Sequence, residues 1–162
     1  MEHMKLGDLR SNLAMKKYNP CDKYSNLWDI TKSISALHKC NLFHGDFHSG
    51  NLLLQNQTWA FISDLGLSQP ADKPIKSDEV YGVLPYIAPE VLRGKPYTKA
   101  ADIYSFGIMW EMNSGIPAFN DVPHDLNLAL NICQGLRPRI VKSPEIYDDA
   151  AKNNMKTWKL NM

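Results

Sequence analysis

The 162-residue sequence has only three cysteines, Cys21, Cys40 and Cys133, scattered and odd in number. No Cys-x-x-Cys pair occurs, so neither a disulfide framework nor a zinc site is implied, and a reducing, cytoplasmic compartment is expected. An excess of charge is also lacking. Eighteen basic residues face 17 acidic ones for a net +1, and nothing marks a nucleic-acid partner. Long hydrophobic runs are missing too. "IYSFGIMW" (103–110) is far short of a membrane span, and "MEHMKLGDLRSNL" at the N-terminus has no apolar signal core, so no membrane association is expected. Neither an internal repeat nor a low-complexity linker is present. What remains is an ordinary globular composition, 44% hydrophobic and 22% charged, with chain enough for one core.

From Tyr24 to Leu42, the residues Leu27, Ile30, Ile34 and Leu37 recur at helical spacing, which predicts an amphipathic helix ending near Asn41. "NLLL" (51–54) and "WAFI" (59–62) enclose the polar "QNQT" and predict a small hairpin. Residues 63–96, rich in Ser, Asp, Gly and Pro, read as a long ordered loop, which in a compact domain is usually functional. Thr98 to Asn113 reads as a helix apolar nearly all round, through Ile103, Phe106, Ile108, Met109, Trp110 and Met112, and hence as the middle of the core. A further helix runs from about His124 to Cys133 and stops at Gly135. Ser143-Pro144 carries the start signal of a last one. The expected fold class is mainly α with a small β hairpin. Trp28, Trp59, Trp110 and Trp158 read as core or partly buried packing residues, and "KSPEIYDD" (142–149) as a solvated face.

The hairpin is flanked by "HGDFHSGN" (44–51) and "SDLGLS" (63–68), which brings three polar side chains close in space. Asp46 can accept a proton from an attacking hydroxyl. Asn51 and Asp64 can offer oxygens to Mg²⁺, a hard cation that completes its shell with water and phosphate. That division of labour suits phosphoryl transfer, which is mostly positioning and charge stabilisation. Each element alone is an ordinary turn; their order and the hairpin between them give the pattern its meaning.

With two downstream segments added, the chain resembles the eukaryotic protein kinase family. "YGVLPYIAPEV" (81–91) matches the end of an activation segment, and "DIYSFGIMWEM" (102–112) the central helix of the large, C-terminal lobe. The second phrase leans toward the tyrosine-kinase-like group of Ser/Thr kinases, although Val83 replaces a Thr usual in Ser/Thr enzymes and leaves Tyr as an acceptor open. The resemblance extends to about Arg139. It implies a protein-kinase-like C-lobe over 9–162, a hinge-like segment at 1–8, ATP and Mg²⁺ as cofactors, and a protein substrate. By position, Asp46 would be the catalytic base, Asn51 and Asp64 would hold Mg²⁺, and His48 would stand where a Lys usually meets the γ-phosphate. Leu53 would form the floor beneath adenine, Met4 would offer its backbone to adenine, Asp8 would reach the ribose, and Met1 would lie beside the gatekeeper. His44 and Leu65 would be spine packing residues. Asp102 would anchor the catalytic loop, and Glu90 would normally pair with an Arg, for which "LRPR" (136–139) comes too early.

Gly45 stands where kinases usually carry the Arg that receives an activation-segment phosphate. Ser68, Ser77 and Tyr81 are therefore read either as phosphorylation sites or as unmodified loop residues. The 162 residues contain no Gly-x-Gly-x-x-Gly and no Val-Ala-x-Lys, so the small lobe is expected to be missing and this polypeptide to be inactive alone. The face that would meet that lobe is then a site for a protein partner. Two other readings stay open. One is a silent, pseudokinase-like protein-binding module. The other is a small-molecule phosphotransferase of the aminoglycoside- or choline-kinase kind, which rests on "HGD" alone.

Overall fold

The structure, a computed structural model, describes residues 6–13, 20–72, 80–108 and 111–139. Met1, Met4, Ser77, Met109, Trp110, Trp158 and the helix start at Ser143-Pro144 lie outside these residues.

Strand β1 (Gly7–Asp8) leads into the short helix α1 (Leu9–Asn12). Asp8 is the reason α1 starts there: its carboxylate accepts the Ser11 backbone N–H at 2.8 Å as an N-cap. The long helix α2 spans Pro20–Lys39, four residues earlier than the periodicity predicts. Proline is tolerated in the first turn, Asp22 follows there, and His38 and Lys39 close the last turn, all favourable to the helix dipole. Ile30 and Ile34 are buried, with Leu27 and Leu37 packed beside them. The chain leaves α2 through Asn41, which adopts a left-handed φ of 59°.

After β2 (Leu42–Phe43) comes the predicted hairpin: β3 (Leu52–Leu54) pairs antiparallel with β4 (Ala60–Ile62), Leu53 opposite Phe61. Its turn is tied by Asn56, whose side-chain oxygen accepts from the N–H groups of Thr58 and Trp59, each at 2.9 Å. β1 adds to the other edge of β3, so the hairpin is part of a three-stranded sheet. Leu52, Leu54 and Ala60 face α2 and are buried. A second pairing, β2 with β5 (Gln69–Pro70), ties the two ends of the 44–68 stretch together.

Among its described residues, the segment read as one long loop holds three short helical turns, at Leu65–Leu67, Leu84–Tyr86 and α3 (Pro89–Leu92). The predicted helix over 98–113 appears as α4 (Lys99–Ile108) and α5 (Glu111–Ser114). Its expected burial all round is corrected: Ile103 is 54% exposed, whereas Ala101, Asp102 and Ser105 are buried. The fully buried residues of α4 among those described are thus small or polar, with Tyr104 and Phe106 partly buried against the core beside them. Trp28 and Trp59, read as packing residues, are also mostly exposed. Helix α6 (Leu126–Cys133) is capped by Asp125, which accepts from Asn127 and Leu128, and it ends in paired bonds from Gly135 to Ile132 and from Leu136 to Asn131. No helix among the described residues is long and apolar enough to cross a membrane.

Ile30 is fully enclosed between α2 and the sheet. Ile30→Ala is expected to cost about 2–5 kcal/mol by leaving a cavity, measured as a lower urea midpoint at unchanged m-value.

Candidate active site

The site is built on a buried carboxylate. Asp102, in the first turn of α4, accepts the backbone N–H of His44 at 2.8 Å and that of Gly45 at 3.0 Å. His38, from the last turn of α2, brings Nε2 to 2.8 Å from the same carboxylate. Three elements thus converge on one side chain and fix the loop that carries Asp46. Gly45 has φ +82°, and a Cβ there would stand 3.1 Å from the Leu67 carbonyl oxygen, so the position favours glycine in conformation and in space.

His44 is buried beneath the loop. Its Nδ1 accepts from the Asp46 N–H at 3.3 Å, which leaves Nε2 as the donor to the Ser63 carbonyl at 3.0 Å. Asp46 itself is half-buried. Asn51 Nδ2 donates to its backbone oxygen at 2.8 Å and to Oδ2 at 3.1 Å. His48 Nδ1 accepts the Gly50 N–H at 3.0 Å, so the neutral ring carries its proton on Nε2, 3.5 Å from Asp46 Oδ1. Hydrogen bonding from His48 holds the Asp46 carboxyl below the usual carboxylate range, against the upward push of burial and with help from Asn51.

Above the loop lies the segment at 80–88. Gly82, at φ +106°, comes so close that a Cβ there would be 3.2 Å from Asp46 Oδ1. The Tyr86 hydroxyl donates to the buried Glu111 carboxylate at 2.6 Å, and Glu111 also accepts from Ala118 N–H at 3.1 Å. Burial and the Glu111 charge push the Tyr86 phenol far up, so it stays a donor. The Ser105 hydroxyl donates to the Tyr86 carbonyl at 2.7 Å and fastens this segment to α4.

The family model described as "Protein kinase domain" matches residues 1–160. The chain belongs to the protein kinase family. Among curated kinases it is similar to serine/threonine-protein kinase STY46 of Arabidopsis thaliana, 36% identical over 119 residues, 71% of this chain and 20% of that protein. It also matches the calcium/calmodulin-dependent protein kinase type 1 of Caenorhabditis briggsae, at 34% over 140 residues, 83% of this chain and 39% of the relative. A third relative is the serine/threonine/tyrosine-protein kinase HT1 of Arabidopsis thaliana, 32% identical over 122 residues, 73% of this chain and 31% of HT1. The chain spans less than two fifths of the length of each of these kinases.

Within this kinase chain the structure brings Asp46, His48, Asn51, His44 and Asp102 into one cluster. Asp64 follows Ser63, which is bonded to the Asn51 carbonyl at the open end of the hairpin; it is exposed and in the left-handed region at φ 57°, which a short polar side chain tolerates better than most. Asp8 and Leu53 are opposite one another in the sheet, Leu53 half-buried, with both Asp8 oxygens engaged by Ser11. Leu65, expected as a packing residue, is 54% exposed on the turn after Asp64. Glu90 sits in α3 without an ion pair among the described residues. Met4 lies outside them.

Sequence reasoning missed His38, Tyr86, Tyr97 and Glu111. An acid inside the apolar stretch "IMWEM" was the available signal for Glu111, since a carboxylate there must find buried donors.

Asp102→Ala is expected to cost about 3–5 kcal/mol, since it strands two buried N–H groups and His38. Asp102→Asn, which keeps one acceptor oxygen, is expected to cost less; urea unfolding of both variants checks the order. Asp46 has its folded pKa below the ordinary 3.8. Its contribution to stability is therefore complete above that value and is lost only as pH falls through the lower folded one. His48→Ala removes the largest lowering cause and should move the Asp46 carboxyl NMR titration upward. An unmoved titration would refute the assignment.

Proposed function

We propose that this chain supplies the large catalytic lobe of a Ser/Thr protein kinase of the tyrosine-kinase-like group, transferring the ATP γ-phosphate to a protein hydroxyl. The observation that carries the reading is the Asp46 carboxylate, ionised, half-open and oriented by Asn51 on a loop pinned by Asp102. Asp46 accepts the proton of the attacking hydroxyl, and its lowered pKa keeps it ionised at neutral pH. His48, in reach of Asp46, stands ready beside the transferred group. Leu53 offers adenine an apolar floor on the open face of the sheet, and Asp8 lies beside it for the ribose. The names of the relatives support Ser/Thr specificity, and HT1 keeps Tyr in view.

The residues present fit a divalent cation. Asn51 directs its Nδ2 at Asp46, which leaves Oδ1 without a hydrogen bond among the described residues, and the Asp64 carboxylate is exposed. Two hard oxygens of this kind suit Mg²⁺ bound together with phosphate. Bound there, the ion would neutralise charge developing on the phosphoryl oxygens.

The open side of the sheet favours a protein partner. Phe61, Leu65 and Leu67 are exposed there or on the turn that follows. These three apolar side chains face the side on which this reading places a small lobe as partner.

The 162-residue polypeptide alone is expected to show almost no turnover with Mg²⁺-ATP and a generic protein substrate. Loss of one preorganised charge-stabilising group costs about 10²–10³ in rate, and its sequence has neither a Gly-rich loop nor the strand Lys. A kinase small lobe added in trans should restore turnover that Asp46→Asn abolishes. Asp46-dependent turnover by the chain alone contradicts the first expectation. No turnover with the lobe supplied, and no rise in Tm with Mg²⁺-ATP, contradicts the enzyme reading in favour of a pseudokinase-like binding module.

A further inference from the structure

Tyr97, in the loop before α4, stacks on Tyr81 with ring centroids 4.3 Å apart and planes 15° from parallel. Its hydroxyl takes the Tyr81 backbone at both ends: it accepts the Tyr81 N–H at 3.2 Å and donates to the Tyr81 carbonyl. No other side chain of the described residues holds one residue of the 80–88 segment in this way. The Tyr81 hydroxyl in turn lies over the glycine of the catalytic loop, 3.4 Å from where a Gly45 Cβ would stand. The next residue, Gly82, is the one brought against Asp46 Oδ1. Gly45, Asp46, Tyr81, Gly82 and Tyr97 line one narrow crevice that has almost no free volume.

From this we infer that Tyr97 is a positioning residue for phosphoryl transfer, latching residues 81–83 over the loop that carries Asp46 by a stack and two hydrogen bonds that require no phosphate. The inference rests on the kinase reading and deepens it. A loop with glycine at 45 has no cation there to draw a phosphorylated segment inward. The neutral aromatic latch supplies that attachment instead, with the Tyr81 hydroxyl in van der Waals reach of position 45. Partial burial pushes the phenols of both tyrosines up, Tyr97 to about 12, so the latch stays neutral across the physiological range.

Amide hydrogen exchange on the full chain tests the latch. Tyr97→Phe keeps the stack and loses both hydrogen bonds; Tyr97→Ala loses both kinds of contact. Exchange over 81–87 is expected to quicken roughly fivefold or more in Tyr97→Phe and further in Tyr97→Ala. Exchange in α2 should stay unchanged, and phosphatase treatment of the unmutated chain should alter neither. Unchanged exchange over 81–87 in Tyr97→Ala overturns the latch, as does a rise shared equally by α2. Loosening by phosphatase as large as that of the mutation overturns its independence from phosphate. With a small lobe in trans, Tyr97→Phe should raise KM for the protein substrate several-fold while KM for ATP holds; an equal change in both overturns the positioning role. Failure of the kinase reading shows separately, as no turnover and no Mg²⁺-ATP stabilisation in the unmutated chain. The exchange experiment then decides the latch by itself.

Discussion

The Asp102 carboxylate is the constraint from which the rest of the site follows. A buried carboxylate must be matched by donors or it destabilises the fold. Here the donors are two consecutive backbone N–H groups, from His44 and Gly45, with His38 completing the shell. Consecutive N–H groups can converge on one anion where the backbone alternates its hand, as in an anion-binding nest. That geometry accounts for the φ of +82° at residue 45. The glycine that makes the loop look unlike that of most protein kinases is therefore well suited to the clamp it serves.

Helix α4 acts as the hub because its inward side is polar. Asp102 holds the catalytic loop, and Ser105, one turn on, holds the Tyr86 carbonyl. Both segments that border Asp46 are thus referenced to the same rigid element. A purely apolar face would have packed against them without fixing their register, since dispersion contacts are not directional. The exposed Ile103 lies off this inward side of the helix, whereas Tyr104 and Phe106 pack against the core beside it.

Much of the site was legible in the sequence, because Asp46, Asn51 and Asp102 sit in short motifs whose spacing survives any error in the surrounding elements. The hairpin was legible for a similar reason: two apolar runs around a polar turn leave few alternatives. Burial was not. Periodicity and side-chain type report which residues are apolar but not whether another element covers them, and Ile103, Trp28 and Trp59 are more exposed than expected on that account. The pairing of β2 with β5 was invisible because two-residue strands carry no alternation. The early start of α2 was missed because Pro20 was outside the apolar period, although proline suits a first helical turn.

Asp46, Asp102 and Glu111 differ in their partners, and those partners separate their roles. Asp102 is met by backbone N–H groups and a histidine, and Glu111 by the Tyr86 hydroxyl and the Ala118 N–H. Both are buried, and their donors are held by the fold itself. A carboxylate so enclosed has no room to approach a new proton donor. Asp46 differs on each count. Its carboxylate partners are two side chains of its own loop, His48 at 3.5 Å and Asn51 at 3.1 Å, and its side chain keeps 18% of its exposure. Those contacts are enough to hold it ionised and oriented, and loose enough to leave an oxygen available. Among the three acids, Asp46 alone combines charge, orientation and access, which is what a general base requires.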